Sequence, residues 1–154
     1  MKKVRALDLA YMGLFVALIA VCSWISIPIG ELKYTLQVLA VLLCGALLGW
    51  KRGLVAVLAY VLLGAVGVPV FSNFTRFLIY PTSGYVVGFI FTVVIVGLGY
   101  KIEFKNQNKA LGYTVNLLIR LAFMAVGVAV CYAFGTAWFM IYRVSNDNAV
   151  SLVT

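Results

Sequence analysis

Five apolar runs joined by short polar connections constrain this chain more than any other feature. They cover about Ala6–Ile27, Leu36–Trp50, Leu54–Phe71, Pro81 or Gly84 to Tyr100, and Leu121–Tyr142. A helix that crosses about 30 Å of hydrocarbon needs roughly 20 apolar residues at ~1.5 Å each, and most of these runs approach that length. With 65% hydrophobic and 10% charged residues in 154, the chain carries more apolar surface than a soluble domain hides in a core. The excess must face lipid. The expected fold class is therefore all-α, a polytopic membrane protein of about five transmembrane helices. The lipid bilayer is its first partner.

The connections support this division. Pro28 and an external turn with Gly30, Glu31 and Lys33 follow the first run, and Lys51, Arg52 and Gly53 make a tight turn between the second and third. Pro69 is expected to distort the third run. Ser72 to Tyr80 reads as a loop carrying Asn73 and Arg76, and Pro81 suits a first helical turn. Lys2, Lys3 and Arg5 resemble the start of a signal peptide, but the run behind them is too long and further spans follow. It reads as a retained first helix.

A net charge of +8 resembles a nucleic-acid signature, yet the basic residues sit between apolar runs and form no polar face. Topology explains them. Lys2, Lys3, Arg5, Lys51, Arg52, Lys101, Lys105, Lys109 and Arg120 fall on one side of the membrane, and Lys33, Arg76 and Arg143 on the other, which divides the twelve as nine against three. The positive excess marks the cytoplasmic side. The N-terminus is thus expected in the cytoplasm, and Thr35, Gln37, Pro81, Thr82 and Tyr85, placed where helices begin and mostly polar, face outward. They outline a solute pocket.

Catalysis and metal binding find no chemistry here. There is no His, and Asp8, Glu31, Glu103 and Asp147 all lie at segment ends or in loops, so an intramembrane acid–base pair or metal cage cannot be assembled. Cys22, Cys44 and Cys131 sit inside apolar runs as small packing residues. The phosphate-cradling G-x-x-x-x-G-K-[S/T] pattern is absent. No enzyme activity and no cofactor are expected, and uphill transport would need energy from elsewhere.

Small residues mark helix contacts. Ala6, Ala10, Gly13, Ala17 and Ala20 recur at spacings of three and four on one face of the first helix, which lets another helix approach closely. Packing within the chain and docking to a separate subunit are both compatible with that stripe. Gly84 and Gly88 form a weaker pair better suited to internal packing.

The run from Tyr34 to Gly49, YTLQVLAVLLCGALLG, resembles the second helix of the BioY family, the biotin-binding S components of energy-coupling factor (ECF) transporters. Leu63 to Phe71, LGAVGVPVF, followed by Pro81-Thr82-Ser83-Gly84-Tyr85, is similar to that family's third helix, outer loop and fourth-helix start, and Tyr132 to Trp138, YAFGTAW, to its fifth helix. The resemblance covers about residues 6 to 142 in order and spacing. It implies an S-component bundle, usually of six helices, that captures a vitamin from outside a prokaryotic cell membrane. The bundle then docks on a transmembrane coupling subunit driven by two cytosolic ATPase subunits. It also shifts the stripe of Ala6, Ala10, Gly13 and Ala17 toward docking.

Biotin presents an apolar bicycle, a ureido group and a carboxylate, so its pocket needs aromatic walls, an amide or hydroxyl, and a cation near the rim. Tyr34, Tyr85, Tyr132 and Trp138 are candidate walls, Thr35, Gln37 and Asn73 candidate ureido partners, and Arg76 or Lys33 candidate carboxylate partners. The plainer roles are interfacial anchoring for the aromatics and helix-end capping for Thr35 and Gln37. Two departures stand out. The loop Ser72–Phe77 is shorter than the family's and has no glycine, and the sixth helix, with its Pro-Gly-Asp-x-x-Lys type of element, has no counterpart before Thr154. One transmembrane substrate-binding domain is expected over residues 1–142, with 143–154 as an extracytoplasmic tail or the start of a missing last helix. The alternatives are an S component for another vitamin and a binding-defective protein that acts only by helix docking.

Overall fold

The computed structural model describes residues 6–29, 32–70, 83–102 and 109–151. Among them are four helices, α1 (Ala6–Trp24), α2 (Gln37–Val66), α3 (Ser83–Gly99) and α4 (Lys109–Ser151), and two short strands, β1 (Ser26–Ile29) and β2 (Leu32–Thr35). The helices are apolar almost all round, as surfaces facing lipid on one side and neighbours on the other must be. The chain is a polytopic α-helical membrane protein. By length and composition α1 and residues Gly112–Val144 of α4 can each cross a membrane, α2 does so only when its 30 residues are taken end to end, and Gly84–Gly99 is a shorter apolar helix.

α1 ends three residues before the run's expected end, because the chain turns into an antiparallel ribbon. Ser26 pairs with Thr35, Ile27 with Tyr34, Pro28 with Lys33 and Ile29 with Leu32. Pro28 cannot donate to a ladder, and a two-strand ribbon leaves it on an edge where no second partner is needed. The Leu36 amide closes the ribbon onto Ile25 O at 3.2 Å. This small strand element is an addition to the all-helical expectation.

α2 is a helical hairpin rather than one straight span. Gly49 takes φ 73° and ψ 172°, a conformation reserved essentially for glycine, and splits α2 into arms 37–48 and 50–66. Cys44 Sγ lies 3.8 Å from Gly53 O, and Gln37 Nε2 lies 2.8 Å from the Tyr60 hydroxyl. Both pairs are centred on the Leu48–Gly49 junction, as antiparallel arms require. The reversal is therefore at Gly49, and Lys51, Arg52 and Gly53 already lie in the second arm, a correction to the turn expected at those three residues. The glycine conformation, absent from any hydropathy pattern, decides it.

The second arm stops at Val66, ahead of Pro69. Gly67 has φ 101° and ψ 10°, its amide reaches Gly64 O, and the Val68 amide reaches Leu63 O. This is a Schellman cap. Pro69 thus lies outside the helix and does not distort it. α4 likewise differs from the expected last span: its helix begins at Lys109, not Leu121, and continues past Arg143 to Ser151.

α3 is the central element. Its Val93 packs against the α2 hairpin, where a Cβ on Gly53 would come within 2.8 Å of Val93 Cγ2 and one on Gly45 within 3.0 Å of Val93 O. On its other side α3 runs antiparallel to α4. A Cβ on Gly84 would collide with Trp138, one on Gly88 would press on Cys131, and one on Gly99 would collide with Phe123. The Thr92 hydroxyl stands 2.9 Å from both Gly88 O and Gly127 O, so its proton joins α3 to α4 in one of its two positions. Without a hydrophobic drive between helices in lipid, such close backbone approach and interhelical hydrogen bonding hold the bundle. α1 buries Met12, Phe15, Ile19 and Ser23 on one face, at helical spacings of three and four.

Candidate functional site

The helices alternate in direction, so the ends of α1 and of the second α2 arm meet the starts of the first arm and of α3. Buried polar groups gather there. The Gln37 amide donates to the Tyr60 hydroxyl at 2.8 Å, and the Tyr60 hydroxyl donates to Val70 O at 3.1 Å. Ser23 Oγ lies 2.7 Å from the same Val70 carbonyl and 2.7 Å from Ala20 O, with its proton available to either. Ser23 and Tyr60 are fully buried and Gln37 nearly so. Polar groups in so apolar an environment are costly unless paired. Here they pair across α1, both arms of α2 and the chain beyond the helix cap.

The same end carries an aromatic group. Tyr85 on α3 and Tyr132 on α4 meet edge to face, with ring centres 5.8 Å apart and planes at 83°. The Tyr85 ring occupies the notch left by Gly135, where any Cβ would strike it. Tyr85 is partly buried against the core, and Tyr132 is exposed at the bundle surface. A stacked pair, Phe91 and Phe134 at 4.9 Å, continues the aromatic seam between α3 and α4.

Of the six candidate substrate residues, the structure brings Gln37 into the polar cluster and joins Tyr85 to Tyr132. Thr35 ends β2, opposite Ser26 and only partly buried. The residue at the helix start is Leu36, with no side-chain cap, so Thr35 does not cap α2. Asn73 and Arg76 lie outside the described residues. Ser23 and Tyr60 are members that the sequence reading missed. A polar residue inside an apolar run was the available signal, but Tyr60 looks like any interfacial tyrosine until α2 is folded back on itself.

The four candidate docking residues behave alike. Ala6, Ala10, Gly13 and Ala17 are all exposed, on the side of α1 roughly opposite its buried face, and a Cβ on Gly13 would meet nothing within 4 Å. Nearby, Arg52 at the start of the second α2 arm pairs with Asp8 at the start of α1 at 3.1 Å. That ion pair places the first turn of α1 and the α2 reversal at the same end of the bundle. Among the described residues no cluster of three or more His, Cys, Asp or Glu could hold a metal.

An apolar helical bundle with its buried polar cluster and aromatic seam at one end has the architecture of a membrane solute-binding component. The comparison with solved structures gives that class a fold. The chain superposes on the crystal structure of the S-component for biotin from an ECF-type ABC transporter, with a TM-score of 0.72 and 27% identity over 93% of this chain and 76% of the other. All of residues 1–154 match the sequence pattern of the BioY family. Relatives include the biotin transporter BioY of Thermotoga maritima, 52% identical over 56% of this chain and 53% of that protein. The probable biotin transporter BioY of Pyrococcus horikoshii is 35% identical over 89% of this chain and 87% of that protein. The match thus spans about half of the first relative and most of the second. The chain belongs to the BioY family, a family of transport proteins and not of enzymes.

Proposed function

We propose that this chain is the substrate-capture S component of an ECF-type transporter and that its solute is biotin. The likeness that carries the reading is the superposition on the biotin S-component over 93% of the chain, supported by the biotin transporter names of its relatives. The solute enters at the end that holds Gln37, Tyr85 and Tyr132. There the aromatic pair offers apolar walls for the bicycle. The Gln37 carbonyl oxygen, left over after its amide serves Tyr60, can accept from a ureido N–H. Thr35 and Asn73 are the further ureido candidates and Arg76 the carboxylate partner, on the chemistry of an amide or hydroxyl for the ureido group and a cation for the carboxylate.

In this reading the exposed stripe Ala6, Ala10, Gly13 and Ala17 receives the transmembrane coupling subunit, because small side chains let a partner helix approach closely. The ATPase subunits bound to it supply the energy. The α1 start and the α2 reversal, held together by Asp8 and Arg52, face the cytoplasm of a prokaryotic cell, in line with the distribution of Lys and Arg.

Labelled-biotin binding to the purified chain tests the reading, alone and extended by a sixth family-type helix. Binding in the nanomolar to micromolar range by the chain itself supports capture. Binding only by the extended chain would assign this chain to helix docking. Retention of thiamine or riboflavin with no biotin bound by either would overturn the choice of solute.

A further inference from the structure

The opposite end of the bundle, where α2 reverses, carries two cation–aromatic pairs from three helices. Lys51 Nζ stands 5.2 Å from the centre of the Trp50 ring, and the Arg120 guanidinium stands 4.8 Å over the Tyr100 ring. Packing brings the pairs together. A Cβ on Gly97 would collide with the Trp50 backbone, so Trp50 and Lys51 lie hard against α3, and Tyr100 follows Gly97 by one turn on the same side. From the other flank Phe123 fills the space beside Gly99, and Arg120 precedes Phe123 by one turn of α4. Trp50, Lys51, Tyr100 and Arg120 therefore share one rim.

Among the described residues the charge there is unbalanced. Asp8 is engaged by Arg52 at 3.1 Å, while Lys51 and Lys101 are exposed. Arg120 Nε is buried and finds no acceptor among the described residues. An aromatic face offsets the charge of a guanidinium but accepts few of its five N–H donors. A buried donor without an acceptor adds to the cost of holding this charge, which an anion beside the guanidinium would offset. The rim also borders bare apolar surface, since Leu98 on α3 and Leu117 and Leu121 beside Arg120 on α4 are all exposed.

We propose that this rim binds the headgroup phosphate of an anionic phospholipid, with Arg120 and Lys51 as its cations. Arg offers paired N–H donors to phosphate oxygens, and basic sites between transmembrane helices at headgroup depth recognise anionic lipids. Trp50 and Tyr100 are rings of the amphipathic kind that favours the headgroup level. The exposed leucines favour a lipid over a free anion, because they give acyl chains a surface to lie on. The site is at the other end of the bundle from the proposed solute site and does not depend on what the solute is.

The test is native mass spectrometry and thermal unfolding of the full chain in neutral detergent, titrated with phosphatidylglycerol or phosphatidylcholine. Phosphatidylglycerol is expected to stay bound and to raise the unfolding midpoint, and phosphatidylcholine to do neither. At about a fivefold effect per basic residue, Lys51→Gln and Arg120→Gln should each weaken phosphatidylglycerol about fivefold, while Arg143→Gln, an equal loss of charge elsewhere, leaves it unchanged. Lys51 is exposed, so its variant gives a reading even if Arg120→Gln does not fold. Equal losses for Lys51→Gln and Arg143→Gln would reduce the effect to general surface charge and overturn the site. Equal protection by inorganic phosphate or glycerol 3-phosphate would overturn the lipid.

Discussion

The Gln37 amide donates to the Tyr60 hydroxyl at 2.8 Å across the two arms of α2, and the same hydroxyl donates in turn to Val70 O at 3.1 Å. One phenol thus joins the start of α2, its second arm and the chain beyond its cap. Tyr60→Phe keeps the ring and removes the link. It leaves the Gln37 amide buried without its acceptor, at a cost of about 1–3 kcal/mol. Thermal unfolding in detergent should show a clearly lowered midpoint, and an unchanged midpoint would mean the hydroxyl is not a tie in the fold. Because Gln37 is also a proposed solute contact, biotin affinity should fall in the same variant.

The α2 reversal depends on one backbone conformation. At φ 73° and ψ 172°, Gly49→Ala places a Cβ in a region that side chains avoid, for about 1–3 kcal/mol of strain. Gly67, at φ 101° and ψ 10°, is nearer the left-handed region that Asn also visits, so Gly67→Asn should cost less than Gly49→Ala. Unfolding midpoints of the two variants check the order, and a reversed order would count against the hairpin as described.

Two other glycines predict opposite outcomes. Gly97→Ala drives a methyl group into the Trp50 backbone, whereas Gly13→Ala adds one into open space. The first should push α2 away from α3 and destabilise by about 1–3 kcal/mol or more. The second should be neutral or slightly stabilising, since Ala is the better helix former. Expression level and unfolding midpoint read both, and equal tolerance would show that the α2–α3 contact is looser than the structure has it.

Ala10 is exposed on the stripe proposed for docking. Ala10→Trp should leave the midpoint and biotin affinity of the isolated chain unchanged while weakening co-purification with the coupling subunit at least tenfold. A complex that forms equally well would remove this face from the docking surface.

Arg76 is the proposed carboxylate partner. Arg76→Ala should weaken biotin more than its uncharged methyl ester, and equal losses for the two ligands would argue against a direct charge contact.

Much of the fold was legible because hydropathy and charge act locally. The apolar runs and the small-residue face of α1 each follow from residues within one or two turns of each other, and each has its counterpart in the helices described. The polar cluster was legible only in part. Gln37 stood out as an amide at a helix start, Tyr85 as an aromatic at a segment start, and Tyr132 by its place in the stretch YAFGTAW that resembles the family's fifth helix. Ser23 and Tyr60 did not, because a polar residue inside an apolar run does not tell which carbonyl or amide it will meet. The end of the second α2 arm at Val66 and the length of α4 were misplaced for a related reason: a left-handed cap leaves hydropathy almost unchanged, and in α4 the hydropathy falls at both ends while the helix continues.

By itself, then, the sequence determined the solvent this protein folds in and which family of transport proteins it joins, since these rest on summed apolar length and on residues close together in the chain. The tertiary structure alone decided that Ser23 and Tyr60 converge on one carbonyl, from 47 and 10 residues away, and that Gln37 crosses 23 residues to reach Tyr60. Those meetings depend on where Gly49 reverses the chain and on how closely glycines let the helices pack, and both are set by backbone geometry that no run of hydrophobic residues encodes.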